Sequence, residues 1–277
     1  MNTIQSSTQR VVTFIIPIAC RNFVSSWELA CEYLRQTVGS ILNSTDPRFA
    51  VVIVGHESPM EYLPKDSRLH FLRLSESTPK VEEKNLQLIA RDWMEKMKLG
   101  REFAKQELPS VFVMRMDADD FLSNRVVGFL SRNYERAAFR ISDGWVWNSG
   151  EKYFIEKTES FNLLCGSSII LSSQIADAEF QIDKILDEIP EITKIAKLGY
   201  SRSLLINEIH ACTEKVMASM KEEILNLPFS GAIYRVGNIN SVAQRTSKKF
   251  YSIRFLIGKI RRLRFLTTSL RKEFALY

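Results

Sequence analysis

Three carboxylates fall within the short run Asp117-Ala118-Asp119-Asp120. Directly before them lies Val111-Phe112-Val113-Met114-Arg115-Met116, which opens on the apolar run Val111–Met114 and reads as a strand. In open α/β sheets, ligands bind beyond the carboxyl ends of the strands. Two carboxylates at alternate positions, where a strand gives way, can reach one hard divalent cation. Magnesium and manganese take oxygen ligands and leave positions open for substrate phosphates. The chemistry this suits is neutralisation of a diphosphate, at rest or as it departs. The plainer reading is a helix cap, since aspartates often begin helices. The position after a buried strand favours the cation.

The surrounding pattern predicts the elements that must hold this cluster. Val11–Ile18 is a continuous apolar run, as expected of a strand buried on both faces. Trp27, Ala30, Leu34, Val38, Ile41 and Leu42 recur at helical spacing. Ala50–Val54 and Leu69–Leu74 read as further strands. A long helix is expected from about 81 to 106, with a break near Gly100. Strands alternating with helices predict an α/β fold, with a mostly parallel central sheet and helices on both faces. Beyond Asp120, Val126–Ala138 reads as helix and Gly144–Ile155 as short aromatic-rich strands. Ile175–Leu198 reads as one or two polar helices. Another helix after His210 is expected to end at Leu227-Pro228-Phe229, and Ala232–Val236 reads as a late strand.

Bulk properties narrow the class. The chain has 277 residues, 45% hydrophobic and 25% charged, enough for a sizeable core. No window approaches the roughly 18 apolar residues of a membrane span. The polar start from Asn2 to Gln9, and Pro17 inside the first apolar run, argue against a cleaved signal peptide. Cys20, Cys31, Cys165 and Cys212 form no Cys-x-x-Cys pair, so they are expected to be reduced core residues in a cytoplasmic setting.

Charge is uneven. Residues 245–277 carry ten basic side chains and one acidic, a net +9, while the whole chain is +6 and the part before is therefore −3. Ile253, Leu256, Ile260 and Leu263 recur at helical spacing among Lys259, Arg261, Arg262 and Arg264. That pattern predicts a basic amphipathic C-terminal helix, suited to an anionic membrane surface or to packing on the preceding domain. No nucleic-acid recognition motif accompanies the charge. The expected division is 1–241 as catalytic domain and 242–277 as basic tail. The expected location is cytoplasmic, peripheral at the inner face of the membrane.

Taken in order, the segments resemble the family-2-like glycosyltransferases of the GT-A fold. Val12-Thr13-Phe14-Ile15-Ile16-Pro17-Ile18 resembles the strand that leads into the nucleotide pocket. Val52-Ile53-Val54-Gly55-His56-Glu57-Ser58 resembles the second strand and its acidic tip. Asp92, Lys96, Lys98 and Gly100 fall where the family has a basic helix. Phe112–Asp120 resembles the strand with the Asp-x-Asp motif, and Cys165-Gly166-Ser167-Ser168 a small-residue segment near the acceptor. His210, Leu227-Pro228-Phe229 and Tyr234 resemble the C-terminal part of the domain. The usual Asp-Asp tip of the second strand is here Gly55-His56, with Glu57 next, and the family's Glu-Asp base motif is not evident.

The resemblance implies transfer of a sugar from a nucleotide-diphosphate sugar to an acceptor hydroxyl, with Mn2+ or Mg2+. The acceptor expected is a surface glycan or lipid-linked oligosaccharide. It implies that Asp117 and Asp119 bind the cation, with Asp117 also at the donor diphosphate, and that His210 completes the metal site. Asp120 would hold the sugar or position the motif, or cap the next helix. Pro17, Ile18 and Glu57 would line the donor pocket, and Lys96 or Lys98 could approach a phosphate, as could Arg125. Asp143, Asp183 and Glu208 are candidate bases for the acceptor hydroxyl. Trp145, Trp147 and Tyr153 could stack on sugar or belong to the core. Two other classes are open: a sugar nucleotidyltransferase, and a non-catalytic membrane-associated glycan- or nucleotide-binding protein. The first would normally carry a Gly-rich loop where Cys20-Arg21-Asn22-Phe23 stands.

Overall fold

The computed structural model describes residues 9–74, 86–180, 217–237 and 261–276. Strand β1 (Arg10–Pro17) is apolar on both sides because it lies inside a sheet covered on both faces. It pairs in parallel with β2 (Phe49–Gly55) on one side and β4 (Ser110–Arg115) on the other. β3 (Leu69–Arg73) continues the parallel set beside β2. β9 (Ile169–Ser172) runs antiparallel between β4 and β6 (Ala138–Arg140), and β10 (Ile224–Asn226) pairs in parallel with β6. The sheet order is β10-β6-β9-β4-β1-β2-β3. This is the mixed α/β, mostly parallel class that the sequence predicts.

Strand alternation distributes the core between two faces. Phe14, Ile16, Val51 and Ile53 meet helix α1 (Trp27–Leu42), which contributes Trp27, Cys31, Leu34, Val38 and Ile41. Each such side chain contributes about 1.5–3 kcal/mol by leaving water. Ser26 caps α1 by accepting from the Leu29 N–H. Ile15, Val52, Val54 and Val113 face the other way, toward Met97 of α2 (Leu86–Glu107) and Ile175 of α4 (Ser173–Phe180). The break expected at Gly100 does not occur. Glycine is needed there for close packing: a Cβ would come within 2.6 Å of Ile15 Cγ2 and 3.0 Å of Val54 Cγ2.

A second sheet has the order β12-β8-β7-β11-β5. Its strands are β5 (Phe121–Leu122), β7 (Gly144–Asn148), β8 (Phe154–Thr158), β11 (Ala232–Val236) and β12 (Leu263–Phe265). Three helical expectations are corrected. Helix α3 covers only Val126–Leu130, since Ala138 is already in β6 beside β9. Ile224–Asn226 is strand because it pairs with β6. Leu263 is strand because it pairs with Glu156 of β8.

The chain ends in helix α5 (Thr268–Phe274), capped by Thr267, with Phe274 and Leu276 buried against Phe121, Ile155, Ile233 and Leu266. Asn43 donates to Lys272 O at 2.8 Å, and Ser123 Oγ to Glu273 Oε1 at 2.5 Å, so the terminal helix is joined to the end of α1 and to the loop that follows β5. No described helix is long and apolar enough to cross a membrane. Cys20, Cys31 and Cys165 are buried free thiols, and Cys212 lies outside the described residues.

Candidate functional site

β4 hands over to the acidic cluster at the carboxyl edge of the sheet. The Met116 N–H donates to Ile15 O at 3.0 Å, and the Ile18 N–H to Val54 O at 2.9 Å. The ends of β1, β2 and β4 therefore lie side by side. Pro17, Ile18, Glu57 and Asp117 share that edge. Glu57 turns to the loop after β1, where its Oε2 accepts from the Arg21 N–H at 3.2 Å.

The cluster is held from two directions. From α1, Thr37 Oγ1 donates to Ala118 O at 3.0 Å, and Ser40 Oγ accepts from the Leu122 N–H at 3.0 Å. From the loop before β9, Ser167 Oγ accepts from the Asp117 N–H at 2.7 Å and donates to Asp120 Oδ2 at 2.7 Å. Cys165 Sγ donates to the same oxygen at 2.9 Å. The Cys165–Ser168 segment thus lies beside the carboxylates.

Asp117 and Asp119 are half-buried, while Asp120 is fully buried. Burial first, then the charges of Asp119 and Asp117, push the Asp120 carboxyl up to about 8. The donations from Cys165 and Ser167 pull the other way. Asp120 Oδ1 also accepts from the Arg235 N–H at 3.3 Å. Asp120 therefore positions the loop. It is not the cap of α3, whose N-cap residue is Arg125.

A divalent cation fits the chemistry of Asp117 and Asp119, which supply hard oxygens at a strand end. Space is kept beside them: a Cβ at Gly166 would stand 3.3 Å from Asp117 Oδ2. Among the described residues no group of three or more His, Cys, Asp or Glu is placed to hold a metal. Further ligands would come from donor phosphates or water. His210, expected to complete the set, lies outside the described residues, as do Asp183 and Glu208.

Lys96 is buried rather than solvated. Its Nζ donates to Asp92 Oδ2 at 2.5 Å and to Ile18 O at 2.9 Å. The other oxygen of Asp92 contacts His56 Nε2 at 2.6 Å. His56, Asp92 and Lys96 form a buried hydrogen-bonded chain that ties the tip of β2 and the end of β1 to α2. His56 Nδ1 is buried with no hydrogen-bond partner among the described residues. Lys98 is exposed on α2.

Arg235 of β11 is a buried cation that the sequence reading did not single out. It is 1% exposed, and its guanidinium lies 4.2 Å from the Tyr33 ring centroid, 4.6 Å from Phe121 and 5.5 Å from Trp147. Its Nη2 donates to Gln36 Oε1 at 2.6 Å. Burial lowers its pKa, and the charges of Asp119, Tyr33 and Asp120 oppose that. Arg235 is thus a fixed positive charge beside the acidic cluster.

The other candidates are spread around this centre. Asp143 Oδ2 stands 3.7 Å from Lys157 Nζ. Exposed Arg125 stacks on Phe229 at 4.1 Å. Of the three aromatics, Trp147 walls the Arg235 cage, Trp145 is partly buried against Ile233 and Ile155, and Tyr153 is exposed.

No family model matches the sequence, and a comparison with curated proteins finds no match. Solved structures are similar at low identity. Residues 1–349 of S. aureus TarS align at 11% identity over 81% of this chain and 60% of that one, with a TM-score of 0.45. The 4-diphosphocytidyl-2C-methyl-D-erythritol synthase of Anaerococcus prevotii aligns at 9% identity over 90% and 96%, with a TM-score of 0.41. A Mycobacterium tuberculosis H37Rv protein in complex with manganese aligns at 11% identity over 82% and 91%, with a TM-score of 0.35. The chain spans 60% of the length of the TarS fragment.

Proposed function

We propose that this chain is a glycosyltransferase that moves a sugar from a nucleotide-diphosphate sugar to an acceptor hydroxyl. The observation that carries the reading is the placement of Asp117 and Asp119 at the carboxyl end of β4, next to the end of β1. Asp117 and Asp119 would hold a divalent cation, Mn2+ or Mg2+, with His210 as a candidate third ligand. When bound there, the cation supplies positive charge to the donor diphosphate.

The chain's own residues do the rest. Ser167 and Asp120 fix the direction of the loop that carries both ligands. Pro17, Ile18 and Glu57 border the donor at the ends of β1 and β2. Arg235 adds a permanent positive charge behind Asp119. The acceptor is a surface glycan or a lipid-linked oligosaccharide, built at the inner membrane face, to which the basic residues of 242–277 attach the protein.

The test is hydrolysis of a panel of nucleotide-sugars by the purified chain with Mn2+. One or more donors should turn over, and Asp117→Ala/Asp119→Ala should abolish it. Absence of turnover across the panel, or turnover indifferent to the double substitution, rejects the reading.

A further inference from the structure

We propose that the β8–β12 edge of the second sheet is a docking face for an anionic lipid surface. Phe154 and Phe265 stand opposite each other in the antiparallel register of these strands, with ring centroids 5.2 Å apart. Ile155, next to Phe154 in β8, is buried at 1%, whereas Phe265 is 71% exposed, Phe154 39% and neighbouring Tyr153 69%. The aromatic pair therefore points away from the core that Ile155 shares with Leu266 and Phe274.

Basic side chains flank the pair, with Arg264 opposite Ile155 in the register rather than beside the rings. Lys152, Arg261, Arg262 and Arg264 are all exposed on the same two strands or the residues flanking them. The one carboxylate in that register, Glu156, is taken by Arg262 at 2.6 Å. Exposed aromatic rings rimmed by basic side chains match the headgroup region of an anionic bilayer. The rings enter the apolar boundary there, and the cations meet lipid phosphate. β12 is also the last strand of its sheet among the described residues, and so could pair with a second copy. Charge disfavours that occupant, because two such edges would bring like-charged arginines together.

This inference deepens the proposed membrane attachment by placing it on folded residues of β8 and β12. The test uses the full chain and phosphatidylcholine vesicles with and without phosphatidylserine, read by flotation. Wild type should float with the anionic vesicles only. Phe154→Ser/Phe265→Ser and, separately, Arg261→Glu/Arg264→Glu should each weaken binding about tenfold or more. Donor hydrolysis should stay unchanged. Phe265→Trp provides a second readout that does not depend on loss of binding: its added fluorescence should be quenched by brominated lipid. If wild type floats and both double variants float equally, the β8–β12 face is not the docking site, and only attachment through the other basic residues of 242–277 stands. If wild type does not float, both fail. A concentration-dependent dimer that the same variants abolish would assign the face to a second copy instead.

Discussion

The hydroxyl of Ser167 bridges the acidic loop, accepting from the Asp117 N–H and donating to Asp120, each at 2.7 Å. Ser167→Ala leaves the Asp117 N–H without that acceptor and Asp120 Oδ2 with one donor fewer. Ser167 and Asp120 are fully buried, so the expected loss is about 1–3 kcal/mol of folding stability. Urea unfolding measures it. Donor turnover should fall along with stability, because the same bond fixes Asp117.

Gly166 sets the clearance over Asp117. A Cβ there would stand 3.3 Å from Oδ2 and 3.6 Å from Oδ1, so the carboxylate must turn to admit it. Gly166→Ala should leave the fold intact and weaken Mn2+ affinity about tenfold. Titration with Mn2+, followed by electron paramagnetic resonance of the free ion, reads this directly. Unchanged affinity would remove Asp117 from the ligand set.

Asp92 compensates two groups, with Lys96 on one oxygen and His56 on the other. Asp92→Ala strands an ammonium that is 1% exposed, at an expected cost of about 3–5 kcal/mol. Asp92→Leu/Lys96→Met removes both charges and should recover much of that loss. Thermal and urea unfolding of the three proteins check the ordering.

Arg235 needs its planar shape as well as its charge. A lysine cannot lie flat against Tyr33 and Phe121 while reaching Gln36. Arg235→Lys should therefore lose about 2 kcal/mol or more despite keeping the charge. A variant as stable as wild type would show that the cage contributes nothing beyond a buried cation.

These residues differ in how far the sequence discloses them. The acidic cluster was legible because the apolar run Val111–Met114 lies within β4 and the carboxylates follow within three residues. β1 and β2 were legible for a related reason, since a sheet covered on both faces leaves unbroken apolar runs, and α1 was legible by its helical spacing. Arg235 was not. In Ala232-Ile233-Tyr234-Arg235-Val236 alternation alone does not mark the arginine as buried. Its burial depends on Tyr33, Phe121 and Trp147, which arrive from three other elements. The burial of Lys96 was not legible either, because the sequence does not show that its ammonium meets Asp92, one turn earlier, and Ile18 O. Leu263 kept a helical spacing that pairing with β8 overrides, since a ladder of long-range hydrogen bonds outweighs local periodicity.

The central claim is that Asp117 and Asp119 hold the cation that binds a donor diphosphate. Calorimetric titration with a panel of nucleoside diphosphates, with Mn2+ and with chelator, tests it most directly. Wild type should bind at least one nucleotide in Mn2+ and lose it in chelator, and Asp117→Asn/Asp119→Asn should weaken binding about a hundredfold. Binding of equal strength in chelator, or binding unmoved by the double substitution, would contradict the claim.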